Sequence, residues 1–290
     1  MLKKVGIIGA GTMGVEIAET LAEQGLEVIL IDQTEEKLND ARLRLFTSQE
    51  RKLARWTITE GEKKLVLSRI QFTLDWRKLS DVPLVIEAVT EDTIIKRDVF
   101  RRLSLETAPH VVLATNTSTL SITELAQATR RADKVIGLHF FEPVQQSKLI
   151  EVVRGYRTSE ETVHFAFQFA SRIGKEAVEV YESPGFISSR LMLVMINEAI
   201  LLYMEGIANK EAIDKAMRLG YDLPRGPLEM ADRFGLDAVL LALEGLFREY
   251  GETKFRPSPL LKKMVRSGLL GVKSGEGFFR YDVRGERVDE

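Results

Sequence analysis

The chain has 290 residues, of which 44% are hydrophobic and 29% charged, with a formal net charge of −2. That length fits one large or two ordinary domains with ample core, and the near-neutral charge gives no pull toward nucleic acid or an anionic membrane. With no cysteine in the chain, disulfides, thiolate metal sites and cysteine nucleophiles are excluded.

The N-terminus reads as a short apolar strand, Val5–Ile8, running into Gly9-x-Gly11-x-x-Gly14. An apolar-patterned helix from Val15 to Gln24 and a second strand, Val28–Ile31, follow, and that strand ends in Asp32. In this order the first glycine permits a tight turn and the second lets backbone approach a pyrophosphate. The third lets helix and strand pack closely, and the phosphates rest on free N–H groups at a positive helix end. A carboxylate at Asp32 suits the adenosine ribose hydroxyls and repels a 2′-phosphate, so the segment points to NAD rather than NADP. FAD stays open as the competing cofactor, and a βαβ unit whose glycines serve only the turn leaves Asp32 unexplained.

Further along, strands are predicted at Leu84–Val89, Val111–Ala114, Val135–Leu138, Leu149–Val153 and Ala177–Val180. Helices are predicted at Glu35–Arg55, Glu60–Ser68, Ile94–Glu106, Ile122–Ala128 and Ser159–Ile173, the last with a capping box at Thr158 and Glu161. Phe165, Phe169 and Ile173 fall at helical spacing and read as core. Strands alternating with helices predict a Rossmann-like, doubly wound, mostly parallel sheet. The pattern changes at Ser183-Pro184-Gly185 to helices almost exclusively: Phe186–Glu205, Lys210–Leu219, Leu236–Tyr250 and Pro259–Ser267, with Pro224, Gly226 and Pro227 as punctuation. The expected organisation is therefore a sheet domain over residues 1–183 and an all-helical C-terminal domain over 184–290. The segment Ile187–Tyr203 is apolar around much of its circumference, which predicts burial in its own domain or in a homodimer. No apolar run reaches the ~18 residues of a membrane span, and no signal-peptide core precedes Val5, so a cytoplasmic location is expected.

Ligands of open parallel sheets bind beyond the carboxyl ends of the strands. Three such ends carry polar residues: Glu87-Ala88-Val89-Thr90-Glu91, Ala114-Thr115-Asn116-Thr117-Ser118, and His139-Phe140-Phe141-Glu142 with Glu151 on the following strand. Oxidising an alcohol with NAD requires a base, and a neutral imidazole suits that role. Of the three histidines, His110 reads as a surface residue and His164 as a helix residue without chemistry around it. His139 ends an apolar strand at the binding edge, where Glu151 could hold its second nitrogen. No His/Asp/Glu cluster has metal-ligand spacing, so no metal is expected.

Several motifs occur together in a specific order: GAGTMG at Gly9–Gly14 (Gly9, Ala10, Gly11, Thr12, Met13, Gly14), VIEAVTED at Val85–Asp92, ATNTSTLSIT at Ala114–Thr123, KVIGLHFFEPV at Lys134–Val144 and KLIEVV at Lys148–Val153. PGFISSR at Pro184–Arg190, GPLEMADRFGLD at Gly226–Asp237 and GVKSGEGFFRYD at Gly271–Asp282 complete the set. Over nearly its whole length the chain resembles the NAD-dependent 3-hydroxyacyl-CoA dehydrogenase family, above all its short-chain 3-hydroxybutyryl-CoA members. The resemblance implies His139 as catalytic base, Glu151 as the acid that orients it, and Ser118 as a contact to the reacting oxygen and the nicotinamide. It implies cofactor contacts at the Gly9–Gly14 cradle, Asp32, Glu91, Lys96 and Lys273, with Ala88 and Asn116 at the same strand ends. It also implies an acyl-CoA substrate, with Lys52 and Arg55 near its phosphates, and a homodimer formed through the helical domain. Two positions depart from the family pattern: Glu142 and Ser189 each stand where an asparagine is usual, so both are candidate determinants of substrate preference. Two alternatives follow from this: a dehydrogenase of the same family acting on a hydroxy acid without CoA, and an NAD-binding protein with little catalysis.

Overall fold

The computed structural model describes residues 2–288. The chain divides into two compact units after Ser183. The first begins with strand β1 (Lys4–Ile8), helix α1 (Thr12–Glu23), β2 (Glu27–Ile31), α2 (Glu35–Ala54), α3 (Glu60–Ser68) and β3 (Ile70–Thr73). It continues with β4 (Leu84–Glu87), α4 (Thr93–Glu106), β5 (Val112–Thr115), α5 (Ile122–Gln127), β6 (Val135–Phe140), β7 (Leu149–Arg154), α6 (Glu160–Arg172) and β8 (Glu176–Tyr181).

One eight-stranded sheet runs in the order β3-β2-β1-β4-β5-β6-β7-β8. Every neighbouring pair is parallel except β6 and β7. The order reverses between β1 and β4, which opens a crevice at the strands' carboxyl ends. The central strands are buried along their length, with Val5, Ile7, Leu30, Ile86, Ala114 and Ile136 inaccessible or nearly so, as expected of a sheet covered on both faces.

Local chemistry explains the helix boundaries. Thr34 caps α2 by accepting from Lys37 N–H, with Glu35 and Glu36 in its positive first turn and Arg51 and Lys52 in its last. The helix ends in a Schellman motif: Trp56 N–H donates to Leu53 O and Thr57 N–H to Lys52 O. Glycine normally fills the left-handed position of that motif, yet here it is Trp56, at φ 56° and 93% exposed.

Two local expectations need correction. Strand β3 was not foreseen, because four edge residues are too few to show an alternation. The capping box belongs to α3, where Thr59 and Glu62 bond reciprocally. Helix α6 is capped by Ser159 instead, while the Thr158 hydroxyl donates to Val135 O and so ties the turn to β6. Phe169 and Ile173 are core, with Phe165 packed against them.

The second unit contains α7 (Ser188–Met204), α8 (Lys210–Gly220), α9 (Pro227–Phe234), α10 (Leu236–Tyr250) and α11 (Pro259–Arg266). A small antiparallel pair, β9 (Arg280–Tyr281) and β10 (Arg287–Val288), follows them. Helix α9 begins at the Pro227 read from the sequence as mere punctuation: at the first helical position proline loses no hydrogen bond and its φ is already helical. Ile196, Ile200, Leu228, Leu243, Phe255 and Leu261 form the heart of this core. Two buried carboxylates pin its loops. Asp214 accepts from Leu228 and Glu229 N–H at the start of α9. Asp232 accepts from Phe278 and Phe279 N–H at 2.8 Å and from the Tyr281 hydroxyl at 3.0 Å.

Candidate active site

The glycines after β1 form a cradle whose two sides differ. A Cβ on Gly14 would lie 1.8 Å from Gly9 O, so this glycine exists for the contact of α1 with the strand end. Gly9 sits at φ 105°, and a Cβ there would lie 2.6 Å from Ala88 O. A Cβ on Gly11 would meet nothing within 4 Å, so the fold itself does not require glycine there. Gly11 is the N-cap of α1 and offers no side-chain cap, which leaves the first N–H groups of the helix to an anionic ligand. Among these residues Ala10 is buried, Met13 half-buried and Thr12 exposed.

Asp32 closes the cradle from the end of β2. Its Oδ2 accepts Ala10 N–H at 2.7 Å and its Oδ1 accepts Gln33 N–H at 2.6 Å, with Lys37 Nζ 3.4 Å away. A carboxylate has acceptor sites beyond these, so ribose hydroxyls can still be received. An uncapped helix end, a glycine open on the ligand side and an acid at the next strand tip together fit NAD.

The second cluster lies on β6 and β7. Antiparallel pairing sets His139 directly opposite Glu151. The ring Nδ1 is 2.7 Å from Glu151 Oε2, and the two residues are 7% and 2% exposed. Phe141 packs on the imidazole with ring centroids 4.7 Å apart. A buried carboxylate on Nδ1 fixes the tautomer with its proton on that nitrogen, which leaves Nε2 as the basic nitrogen. The other two histidines lie elsewhere: His110 is exposed beside Asp81, and His164 faces Gln168 on α6.

The turn after β5 joins the two clusters. Asn116 Oδ1 accepts the N–H of Phe140, the residue after His139, at 2.9 Å. Glu91 Oε1 accepts the N–H groups of Ser118 and Thr119 at 3.2 and 3.3 Å, as well as the Thr117 hydroxyl. The half-buried Ser118 hydroxyl takes no partner among the described residues. Ala88, at the end of β4, donates its N–H to Ile8 O and so borders the cradle.

Several residues expected at ligands have protein partners. Lys96 is 1% exposed and bound to Glu87 and Glu91. Lys52 turns inward to Glu19, at 3.0 Å, and to Glu23, within a polar cluster that includes Gln49 and Gln145. Arg55, one turn on, is exposed and makes no ion pair among the described residues. Glu142 is exposed, and its charge bears on Glu16 of α1. The Glu16 carboxyl is raised above the ordinary range by burial, opposed by Val144 N–H and reinforced by Glu142. Ser189 lies in the first turn of α7, and Lys273 pairs with Asp237, both in the second unit. Glu87, to which the sequence assigns no role, is fully buried at the sheet's binding edge. The available signal was an acid closing an otherwise apolar strand.

The sequence matches the model of the 3-hydroxyacyl-CoA dehydrogenase NAD-binding domain over residues 4–183 and that of the family's C-terminal domain over residues 185–281. It is 44% identical over 278 residues to a probable 3-hydroxybutyryl-CoA dehydrogenase of Deinococcus radiodurans, covering 96% of this chain and 100% of that one. It is also 39% identical over 289 residues to the mitochondrial hydroxyacyl-coenzyme A dehydrogenase of Sus scrofa, covering 97% and 92%. Among solved structures, the (S)-3-hydroxybutyryl-CoA dehydrogenase of Ralstonia eutropha superposes with a TM-score of 0.92 at 38% identity, over 97% of this chain and 100% of that one. With both domain models matched in order along one chain, the protein belongs to the 3-hydroxyacyl-CoA dehydrogenase family and is an NAD-dependent dehydrogenase.

Proposed function

We propose that the protein reversibly oxidises an (S)-3-hydroxyacyl-CoA, with 3-hydroxybutyryl-CoA the favoured substrate, to the 3-ketoacyl-CoA. The observation that carries this reading is the buried His139–Glu151 pair on the sheet that also bears the glycine cradle. NAD, when bound, accepts the hydride that leaves C3. Nε2 of His139 takes the proton from the 3-hydroxyl, and in the reverse direction the protonated ring returns it to the keto oxygen. Glu151 holds the ring's orientation and stabilises the imidazolium. The Ser118 hydroxyl donates to the reacting oxygen. A positioned general base contributes ~100- to 10,000-fold.

In this reading residues 1–183 hold the cofactor, and residues 184–290 bind substrate and dimerise. An apolar groove of about 850 Å³ along α7 supports the dimer, with Ile187 and Leu191 exposed beside it. A sedimentation mass of one chain at micromolar concentration rules the dimer out. We also place the protein in fatty acid metabolism in the cytoplasm, in keeping with its bacterial relatives. No helix among the described residues is long and apolar enough to cross a membrane.

The deciding assay is NADH oxidation with acetoacetyl-CoA, comparing wild type with His139→Ala. No turnover by wild type removes the substrate, and full activity in the variant removes the base. One observation favours a second reading, a hydroxy acid without CoA: Lys52, an implied phosphate contact, is already neutralised by two carboxylates. Comparing free 3-hydroxybutyrate with its CoA ester separates the two.

A further inference from the structure

The carboxyl ends of β4 and β5 enclose a charge cluster that this mechanism leaves unused. Glu87, the last residue of β4, is 0% exposed, and Lys96, in the first turn of α4, is 1% exposed. Two such charges do not persist away from water unless paired and hydrogen-bonded. Lys96 Nζ lies 2.7 Å from Glu87 Oε1, 3.3 Å from Val89 O and 3.3 Å from Glu91 Oε2. Two of the ammonium's three N–H donors are hydrogen-bonded to Glu87 and Val89 O, its charge is paired with Glu91 as well, and at 1% exposure it is turned into the protein. Glu87 is equally occupied, accepting Val89 N–H at 2.6 Å and the Thr115 hydroxyl at 2.7 Å.

A pair serving only the fold needs one carboxylate. Here the ammonium reaches a second one, and the two oxygens of Glu91 divide their work. Oε2 faces Lys96, while Oε1 gathers the Thr117 and Thr119 hydroxyls and the N–H groups of Ser118 and Thr119. The same turn reaches the base through Asn116 and Phe140 N–H. One connected network therefore runs from a buried lysine to Ser118 and to the residue beside His139.

We propose that Lys96 is a positioning residue for the dehydrogenase reaction: braced by Glu87, it locks Glu91 so that Glu91 sets the Thr117–Thr119 turn and with it the Ser118 hydroxyl. The proposal rests on the function assigned above. It replaces the cofactor contact that the family resemblance implies for Lys96.

Lys96→Met alone strands the Glu87 charge and can unfold the domain, so the test variant is Glu87→Gln/Lys96→Met, which removes both charges at similar volume. Three quantities are measured: kcat for acetoacetyl-CoA reduction, NADH affinity by fluorescence titration, and amide exchange at Ser118 and Thr119. Because misplacing a reacting group by about 1 Å costs up to ~100-fold, kcat is expected to fall ~10- to 100-fold. NADH affinity stays within about twofold, and the two amides exchange at least ~10-fold faster. Placed in a Ser118→Ala background, the same double substitution costs no more than about threefold, because the serine through which it acts is gone. NADH affinity lost about tenfold with unchanged amide exchange makes Lys96 a cofactor contact and overturns the proposal. Unchanged kcat and exchange reduce the cluster to a fold-only ion pair and overturn it too. A wild type inactive on acetoacetyl-CoA defeats the substrate assignment instead, and amide exchange still decides whether Lys96 braces the turn.

Discussion

Gly11→Ala and Gly14→Ala add the same methyl group to opposite sides of one loop and should separate binding from folding. At Gly11 the backbone is extended, φ −72° and ψ −169°, which alanine adopts freely, and its Cβ meets no heavy atom within 4 Å. Alanine is a poorer N-cap than glycine, but it loses less chain entropy on folding, so the net change in stability is expected within about 1 kcal/mol. A pyrophosphate seated on this backbone, however, meets the new methyl group. A loss of at least about 1.4 kcal/mol, or tenfold in Kd for NADH, is expected. At Gly14 the Cβ falls 1.8 Å from Gly9 O, a backbone atom, so α1 has to withdraw by more than 1 Å from a packed strand. Overpacking of that kind costs about 3 kcal/mol or more, a drop in Tm of ~6–12 °C for a domain of this size. Thermal unfolding and NADH fluorescence titration on both variants provide the comparison. If Gly11→Ala binds NADH as wild type does, the phosphates do not approach at Gly11 and this loop is not their cradle. If it melts as early as Gly14→Ala, the open side of the loop is not open.

Glu151→Gln keeps the size of the side chain and removes the charge beside His139. An ion pair near 4 Å at an effective dielectric of about 20 is worth about 4 kcal/mol, so kcat should fall ~100- to 1,000-fold with NADH affinity unchanged. Activity above about a third of wild type contradicts the pairing. Trp56→Gly removes a side chain that is 93% exposed from a left-handed backbone position, and should stabilise the protein by about 1 kcal/mol in a chemical denaturation curve. A destabilised variant shows that the indole makes a contact it does not have here. Burial raises the Asp232 carboxyl from 3.8 to about 6. The folded state thus favours the protonated form, and its contribution is full below about pH 4 and lost as pH rises through 6. That difference amounts to about 3 kcal/mol, so the stability of wild type relative to Asp232→Asn should decline by that order between pH 4 and 7. Parallel pH profiles for the two proteins exclude this titration.

What the sequence revealed depended on how local the signal was. The cradle was legible because glycine spacing, strand, helix and terminal acid all lie within one βαβ unit. The facing of His139 and Glu151 was legible from a strand-end histidine followed by an acid on the next strand, although their contact depends on antiparallel register between β6 and β7. Lys96 looked like any surface lysine, since nothing nearby in the chain announces that Glu87 and Glu91 enclose it. Lys52 was hidden in the same way by carboxylates on α1, a helix about thirty residues earlier. Trp56 could not be read at all, because a tryptophan is the wrong residue by propensity for the conformation that the Schellman hydrogen bonds impose.

The carboxylate proposed to receive the adenosine ribose, Asp32, is also a structural strut. Because Asp32 Oδ2 holds Ala10 N–H, the proposed discrimination between the two nicotinamide dinucleotides and the shape of the glycine loop rest on one side chain. Redesigning this enzyme for the phosphorylated dinucleotide therefore takes more than exchanging the acid for a small neutral residue. The substitute must also supply an acceptor for Ala10, or the loop relaxes and both dinucleotides are lost together. In the proposed reading, cofactor preference and scaffold are therefore coupled through Asp32.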